Sequence, residues 1–266
     1  MQSTKELRRS VNRKLKVPHA WRRLRAVLFL VFSAGLIYSG VHIVRYFVEN
    51  AQNNQQLEVV RVAYEQALKA HTPQTESEAD STAPADEAAN NAYLTLTKLN
   101  ADAAGWLCIL GTPIDHPFVQ TDDNDYYLHR SFEDARSAHG CVFLDYRCAA
   151  DSRHLVLYGH RMKDGSMFGA LSQYEIKDFY NAHPVISLNL RGEASEWQIF
   201  SVHRADDSLL PVVFTDAGAF EEYMNGLAGL SLYDTGVKAA SSDTILTLST
   251  CDGPNERFVI HAKKIG

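Results

Sequence analysis

Thr247-Leu248-Ser249-Thr250-Cys251 is the end of a short apolar stretch that predicts a buried β-strand. The turn signal Asp252-Gly253-Pro254-Asn255 follows it, so the strand is expected to end at Cys251. A second strand is predicted from Arg257, where successive side chains alternate between two faces. The pattern therefore places a thiol at a strand end, beside a loop and near a guanidinium.

Such surroundings lower the pKa of a thiol and make the thiolate available as a nucleophile. Cys251 is accordingly the candidate nucleophile. The alternative is that Cys251 is a small buried hydrophobic residue, as many cysteines are. The polar, turn-rich segment after it favours the exposed, reactive interpretation.

A second candidate follows another predicted strand. Leu155-Val156-Leu157-Tyr158 is apolar and ends in Gly159-His160, after which the chain becomes loop-like. Catalytic groups are often carried by loops at the ends of strands, so His160 is a candidate proton-transfer residue. A purely structural histidine is the alternative.

Several separated motifs in this order resemble the sortases, and class B in particular. The resemblance extends from about Leu94 to the C-terminus. The motifs are Gly105-Trp106, Asp115-His116-Pro117-Phe118-Val119-Gln120, Asp123-Asn124-Asp125-Tyr126-Tyr127-Leu128, Gly140-Cys141-Val142-Phe143-Leu144-Asp145, Tyr158-Gly159-His160, Met162, Asp164-Gly165-Ser166-Met167-Phe168, Leu248-Ser249-Thr250-Cys251 and Arg257.

The resemblance implies a fold and a site. The fold would be mainly β: a closed sortase-type barrel of about eight strands with short helices. The catalytic residues would be Cys251, His160 and Arg257, with Arg257 binding the oxyanion; an exposed strand residue is the alternative for Arg257. The substrate-binding candidates are Asn124, Leu128, Ser249 and Asp252; Asn124 has the alternative of a turn residue.

Nine short strands and four short helices are predicted after residue 93. The strands are Trp106–Leu110, Phe118–Gln120, Gly140–Leu144, Leu155–Tyr158, Val185–Leu190, Glu196–His203, Val212–Phe214, Thr244–Ser249 and Arg257–Lys263. The helices are Leu94–Ala103, Met167–Leu171, Lys177–Asn181 and Ala217–Leu227.

The N-terminal third predicts a membrane anchor. Residues 1–25 contain nine Lys or Arg residues and one acidic residue, although the whole chain carries a net charge of −6. Residues 26–48 are long and apolar enough to cross a bilayer of roughly 30 Å. The basic flank places residues 1–25 in the cytoplasm and the later domain outside the cell, as a single-pass protein of the cell membrane.

Residues 49–92 are predicted to be a juxtamembrane helix, Asn50–Ala70, and a flexible linker, His71–Asn91. The linker is acidic and rich in Pro, Ser, Thr and Ala, a composition that buries little apolar surface. The catalytic domain is then expected at residues 93–266.

No cofactor and no metal are expected. The four cysteines lack zinc-ligand spacing, and the chain has no phosphate-binding glycine motif, so nucleotides are not predicted partners. Cys108 is expected to be buried. A disulfide between Cys141 and Cys148 is left open, because sequence spacing does not determine connectivity.

The resemblance implies a cysteine transpeptidase on the outer face of a Gram-positive-type envelope. Its partners would be secreted proteins with a C-terminal Pro-x-Thr sorting signal and an amine acceptor from peptidoglycan or a pilin lysine; no nucleic acid is expected. Two alternatives stay open: a hydrolase that uses the same residues, and a non-enzymatic envelope module that needs neither Cys251 nor His160.

Overall fold

Eight β-strands close into a barrel in the computed structural model of the chain, which describes residues 19–70, 83–149, 151–206, 210–251 and 256–266. In chain order the strands are β1 Ala103–Cys108, β2 Asp115–Val119, β3 Val142–Leu144, β4 His154–Tyr158, β5 Val185–Leu190, β6 Glu193–Asp206, β7 Ile245–Cys251 and β8 Glu256–Lys264.

The order around the barrel is β1-β2-β3-β4-β7-β8-β6-β5. The β2–β3 and β4–β7 pairs are parallel, and the other pairs are antiparallel. The prediction of a mainly β, closed eight-stranded barrel with short helices is confirmed.

Four α-helices accompany the barrel in the described residues: α1 His19–Ala70, α2 Ala83–Leu99, α3 Lys177–Ala182 and α4 Ala217–Leu230. Two 3₁₀ helices cover Tyr126–His129 and Phe168–Glu175. The Asp216 side chain accepts a hydrogen bond from the Ala219 amide at 2.9 Å and so caps the start of α4.

The predicted strand Val212–Phe214 does not form. The segment is irregular, with Val212 buried and Val213 exposed. Pro211 precedes it and cannot donate a hydrogen bond to a neighbouring strand, which disfavours sheet structure there.

The central residues of β7 and β8 are buried on both faces of the sheet, including polar side chains such as Thr247 and His261. Leu246 and Leu248 belong to the main core of the barrel. Ile245 belongs instead to a second cluster, in which residues of α4 such as Phe220 and Met224 cover the opposite face. Helix α4 therefore packs on the outside of the sheet that carries the catalytic candidates.

The chain divides into two compact units, Met1–Glu49 and Asn50–Gly266. In the first unit, the large apolar side chains between residues 27 and 48 are exposed. Helix α1 is long and apolar enough to cross a membrane by length and composition. Residues 1–18 of the predicted basic tail lie outside the described residues.

The predicted juxtamembrane helix packs on the barrel. The Tyr64 ring stacks on the Trp106 ring, with centroids 4.4 Å apart and planes at 10°. Arg61 Nε forms an ion pair with Asp115 Oδ2 at 2.8 Å, and Asn189 Nδ2 donates to the Tyr64 hydroxyl at 3.0 Å. Residues 50–70 therefore contribute to the core of the second unit.

The predicted linker is helical in its described part. Helix α2 begins at Ala83, and Ala88, Ala89 and Ala92 are buried against the barrel. Alanine has the highest helix propensity and its small side chain allows close packing, so a segment poor in large apolar residues still docks. Residues 71–82 of the linker lie outside the described residues.

Candidate active site

The β7–β8 register brings Cys251 and Arg257 together. The two residues are paired across the antiparallel strands, where β7 ends and β8 begins. Residues directly opposite each other in such a pair lie on the same face, with Cβ atoms roughly 5 Å apart. The backbone description includes Cys251, whereas its side chain and Asp252 lie outside the described residues.

His160 lies beside the end of β7. In the parallel β4–β7 pair, Tyr158 is matched with Ser249, and the Gly159 amide donates to the Ser249 carbonyl at 3.2 Å. His160 and Cys251 each follow this matched pair by two residues. Because neighbouring strands lie about 4.8 Å apart, the three catalytic candidates occupy adjacent positions at one edge of β4, β7 and β8.

Arg257 is half-buried and its guanidinium carbon lies 5.6 Å from the centre of the Tyr158 ring. This distance fits a cation–π contact between the guanidinium and the ring. The Tyr158 hydroxyl in turn donates to Asp145 Oδ2 at 3.1 Å. Tyr158 is thus held at both its ring and its hydroxyl.

Asp145 is fully buried and organises this side of the site. Burial alone would raise its pKa, but hydrogen bonds from Arg147 and Asn124 outweigh that effect and hold the pKa below its usual range. Arg147 Nη2 lies 2.7 Å from Asp145 Oδ2, and the pair is strengthened by a second contact from Nε. Arg147 could not be identified from the sequence, because its pairing with Asp145 depends on the folded loop after β3.

Asn124 is connected to the same turn. Its Nδ2 donates to Asp145 at 3.2 Å, and its Oδ1 accepts from the Tyr146 amide at 3.0 Å. Both ends of the amide therefore fix the loop after β3. Its predicted contact with substrate stays a prediction.

The other two described substrate-binding candidates differ in exposure. Leu128 is half-buried, and its carbonyl oxygen lies 2.7 Å from His160 Nε2. Ser249 is fully buried, and its hydroxyl makes no hydrogen bond with the described residues. For both residues the contact with substrate stays a prediction.

The other three cysteines are free thiols in poor positions for nucleophilic chemistry. Burial raises the pKa of Cys108 to about 11, that of Cys141 to about 12 and that of Cys148 to about 11. Cys141 and Cys148 are buried and not bonded to each other. At neutral pH these thiols are protonated, which favours Cys251 as the nucleophile.

No group of three or more metal-binding side chains occurs in the part of the chain that the structure describes. The catalytic candidates themselves supply a thiol, an imidazole and a guanidinium, a set suited to acyl transfer through a covalent intermediate.

Comparisons with known proteins indicate the family to which the chain belongs. The sequence model of the family described as "Sortase domain" matches residues 117–265. Sortase B of Listeria monocytogenes is 39% identical over 178 residues, covering 64% of this chain and 72% of that protein.

Solved structures give the same result. The crystal structure of sortase B from Bacillus anthracis in complex with AAEK1 has a TM-score of 0.71 and 29% identity, and the match covers 82% of this chain and 99% of that one. Clostridium perfringens sortase B has a TM-score of 0.62 and 34% identity, covering 65% and 99% respectively.

Proposed function

The chain belongs to the sortase family, as a class B sortase-type cysteine transpeptidase, and on that premise we propose that Cys251, His160 and Arg257 are its catalytic residues. The observation that supports this assignment is their alignment at one edge of three adjacent strands. Sortases act on sorting-signal proteins and amine acceptors; for this chain we propose a Pro-x-Thr signal near the C-terminus of secreted proteins.

The proposed reaction has two acyl transfers. The Cys251 thiolate attacks the threonine carbonyl, and His160 donates a proton to the leaving amine nitrogen as the C–N bond breaks. A thioacyl intermediate remains. The acceptor amine then attacks the thioacyl carbon, His160 takes its proton, and the thiolate of Cys251 leaves.

Arg257 stabilises both tetrahedral intermediates. Its guanidinium is permanently charged and presents fixed donors, which suits an oxyanion better than an ammonium group does. The Tyr158 ring lies 5.6 Å from the guanidinium carbon and helps to position Arg257 beside Cys251 for this task.

The test uses purified protein and a panel of Pro-x-Thr peptides, with and without an amine. Transpeptidation predicts a thioacyl adduct by mass spectrometry and an amine-dependent product. Release of free acid alone, whatever the amine, would favour the hydrolase alternative. His160→Ala should lose turnover by roughly 10²–10⁴-fold, and added imidazole should restore part of it if proton transfer is the missing step.

The proposed acceptor is an amine of the cell wall or of a pilin lysine. Mass spectrometry of products formed with glycine-terminated peptides and with lysine-containing peptides distinguishes the two. A product with neither would leave the acceptor assignment without support.

We also propose a single-pass topology with the N-terminus in the cytoplasm and the barrel outside. The apolar part of α1 and the basic residues before it support this orientation. A C-terminal tag should be cleaved by external protease in intact, wall-stripped cells, and an N-terminal tag should be protected. Protection of the C-terminal tag would contradict the orientation.

A further inference from the structure

One hydrogen bond determines which nitrogen of His160 is available for chemistry. His160 Nε2 lies 2.7 Å from the main-chain carbonyl oxygen of Leu128. A carbonyl oxygen accepts hydrogen bonds and cannot donate them, so Nε2 carries a hydrogen. In the neutral imidazole, Nδ1 then holds the lone pair.

The Leu128 carbonyl is itself held in place. Leu128 lies in the 3₁₀ helix Tyr126–His129, and the buried Tyr127 anchors that helix. The Tyr127 hydroxyl donates to Asp102 Oδ2 at 2.9 Å and accepts from Asn100 Nδ2 at 2.8 Å. The carbonyl that meets His160 is therefore tied to the segment between α2 and β1.

Gly140 leaves the space in which the carbonyl and the imidazole meet. A Cβ atom at this position would lie 2.8 Å from the Leu128 oxygen, 2.8 Å from the Tyr127 oxygen and 2.9 Å from His160 Cδ2. Real Cβ atoms are not found so close to such neighbours, so a side chain would displace the carbonyl, the ring or both. The backbone of Gly140 also has φ +61°, which favours glycine.

The main chain of His160 is held from the other direction. The Phe168 amide donates to the His160 carbonyl at 3.0 Å. The backbone and the Nε2 side of the ring thus have separate supports, and the remaining ring nitrogen is Nδ1.

We propose that the Leu128 carbonyl and Gly140 are positioning elements for His160, and that Nδ1 is the atom that exchanges protons in both acyl transfers. This inference rests on the proposed catalytic role of His160. In the imidazolium, Nε2–H is bound to the carbonyl by a charge-assisted hydrogen bond, while Nδ1–H faces the reaction. Donation to the leaving amine returns the neutral Nε2–H tautomer, and the incoming amine gives its proton to Nδ1.

The first test reads the tautomer directly. Full-length protein labelled with ¹⁵N-histidine, in detergent micelles, gives ring nitrogen shifts for His160, assigned by comparison with His160→Gln. At a pH where the ring is neutral, Nε2 should have the protonated shift and Nδ1 the unprotonated shift. The opposite tautomer would overturn the inference, even if His160→Ala proves inactive and so supports the catalytic role.

The second test uses two glycines with matched backbones. Gly140→Ala should lower kcat by about 10²-fold with little change in KM, because the imidazole is displaced from its productive position. Gly236 has φ +73°, and a Cβ atom added there would meet no atom within 4 Å. Gly236→Ala therefore has a similar backbone strain without the crowding and should keep kcat within about twofold. Equal losses in both variants would overturn the inference.

A third variant covers the case in which Gly140→Ala does not fold. Tyr127→Phe keeps the ring but removes the hydroxyl that anchors the 3₁₀ helix, so it loosens the Leu128 carbonyl without touching His160. It should lower kcat and introduce the second tautomer in the ¹⁵N spectrum. Wild-type kcat together with an unchanged tautomer would contradict the positioning role of the carbonyl.

Discussion

Acid should destabilise the domain through three histidines buried beneath α4. His154 Nε2 and His261 Nδ1 both contact the Thr247 hydroxyl, at 2.7 and 2.6 Å. The His203 ring stacks on the His261 ring with centroids 5.0 Å apart. None of the three is more than 4% exposed.

Burial lowers the pKa of His154 and of His203 to about 4, and lowers the pKa of His261 well below its usual value. A histidine in the unfolded chain has a pKa of about 6.5, so below that pH the unfolded state binds more protons than the folded state. The folded domain therefore has its full stability above about pH 6.5 and loses stability as the pH falls towards 4.

The size of the effect follows from the shifts. At about pH 5, His154 and His203 each lower the free energy of unfolding by about 2 kcal/mol. This follows because pH 5 is about 1.5 units below 6.5, and each pH unit corresponds to about 1.36 kcal/mol per histidine. Together they remove about 4 kcal/mol, and His261 adds to this in the same direction. The free energy of unfolding of a domain is only about 5–15 kcal/mol, so acid unfolding is expected between about pH 6.5 and pH 4.

The assay is urea unfolding of the fragment 50–266 from about pH 7.5 to about pH 4.5, with the free energy of unfolding plotted against pH. His203→Phe should reduce the slope below about pH 6 by about 1.4 kcal/mol per pH unit, since one titrating group is lost. Phe220→Leu weakens the packing of α4 on the sheet and removes no titrating group. It should lower the free energy of unfolding at every pH and keep the slope. A wild-type slope smaller than one histidine requires would refute the reasoning.

Three further predictions concern the boundaries and the site. A fragment that begins at Asn50 should fold, whereas one that begins at Tyr93 should lose several kcal/mol in urea unfolding, because each large apolar side chain removed from the core is worth about 1.5–3 kcal/mol; equal stabilities would contradict the docking of residues 50–70. Arg257→Lys should lower kcat/KM for a Pro-x-Thr peptide by about 2–4 kcal/mol of transition-state stabilisation, and near-normal turnover would reduce Arg257 to a general electrostatic role. Cys251→Ala should abolish the thioacyl adduct seen by mass spectrometry while Cys141→Ala keeps it, and the reverse result would identify a different nucleophile.

The strand pattern around the site could be predicted from local sequence. The apolar run before Cys251, the turn signal after it and the alternation from Arg257 all lie within about a dozen residues, and they predict β7, β8 and the place of Cys251 at the end of β7. The positions next to His160 follow from the β4–β7 pairing, which the sequence pattern does not specify. That neighbour relation came from the resemblance to the family.

Contacts between strands that are distant in the chain could not be predicted in the same way. His154, His203 and His261 lie on three strands that are distant in the chain, and they meet only because β4, β7, β8 and β6 are consecutive around the barrel. A buried histidine and an exposed one also have the same appearance in an alternating strand. Asp145 and Tyr158 are likewise brought together by the β3–β4 pairing rather than by sequence spacing.

The overlap between the predicted linker, His71–Asn91, and helix α2 has a more specific cause. Composition measures how much apolar surface a segment can bury by itself, and the segment from Ala83 to Asn91 has almost none. Alanines suffice on the helical side because they let the backbone approach the barrel: the Ala89 carbonyl accepts from Asn189 Nδ2 at 2.8 Å. A boundary drawn at residue 93 therefore cuts through α2 and removes the buried alanines Ala88, Ala89 and Ala92 from the domain.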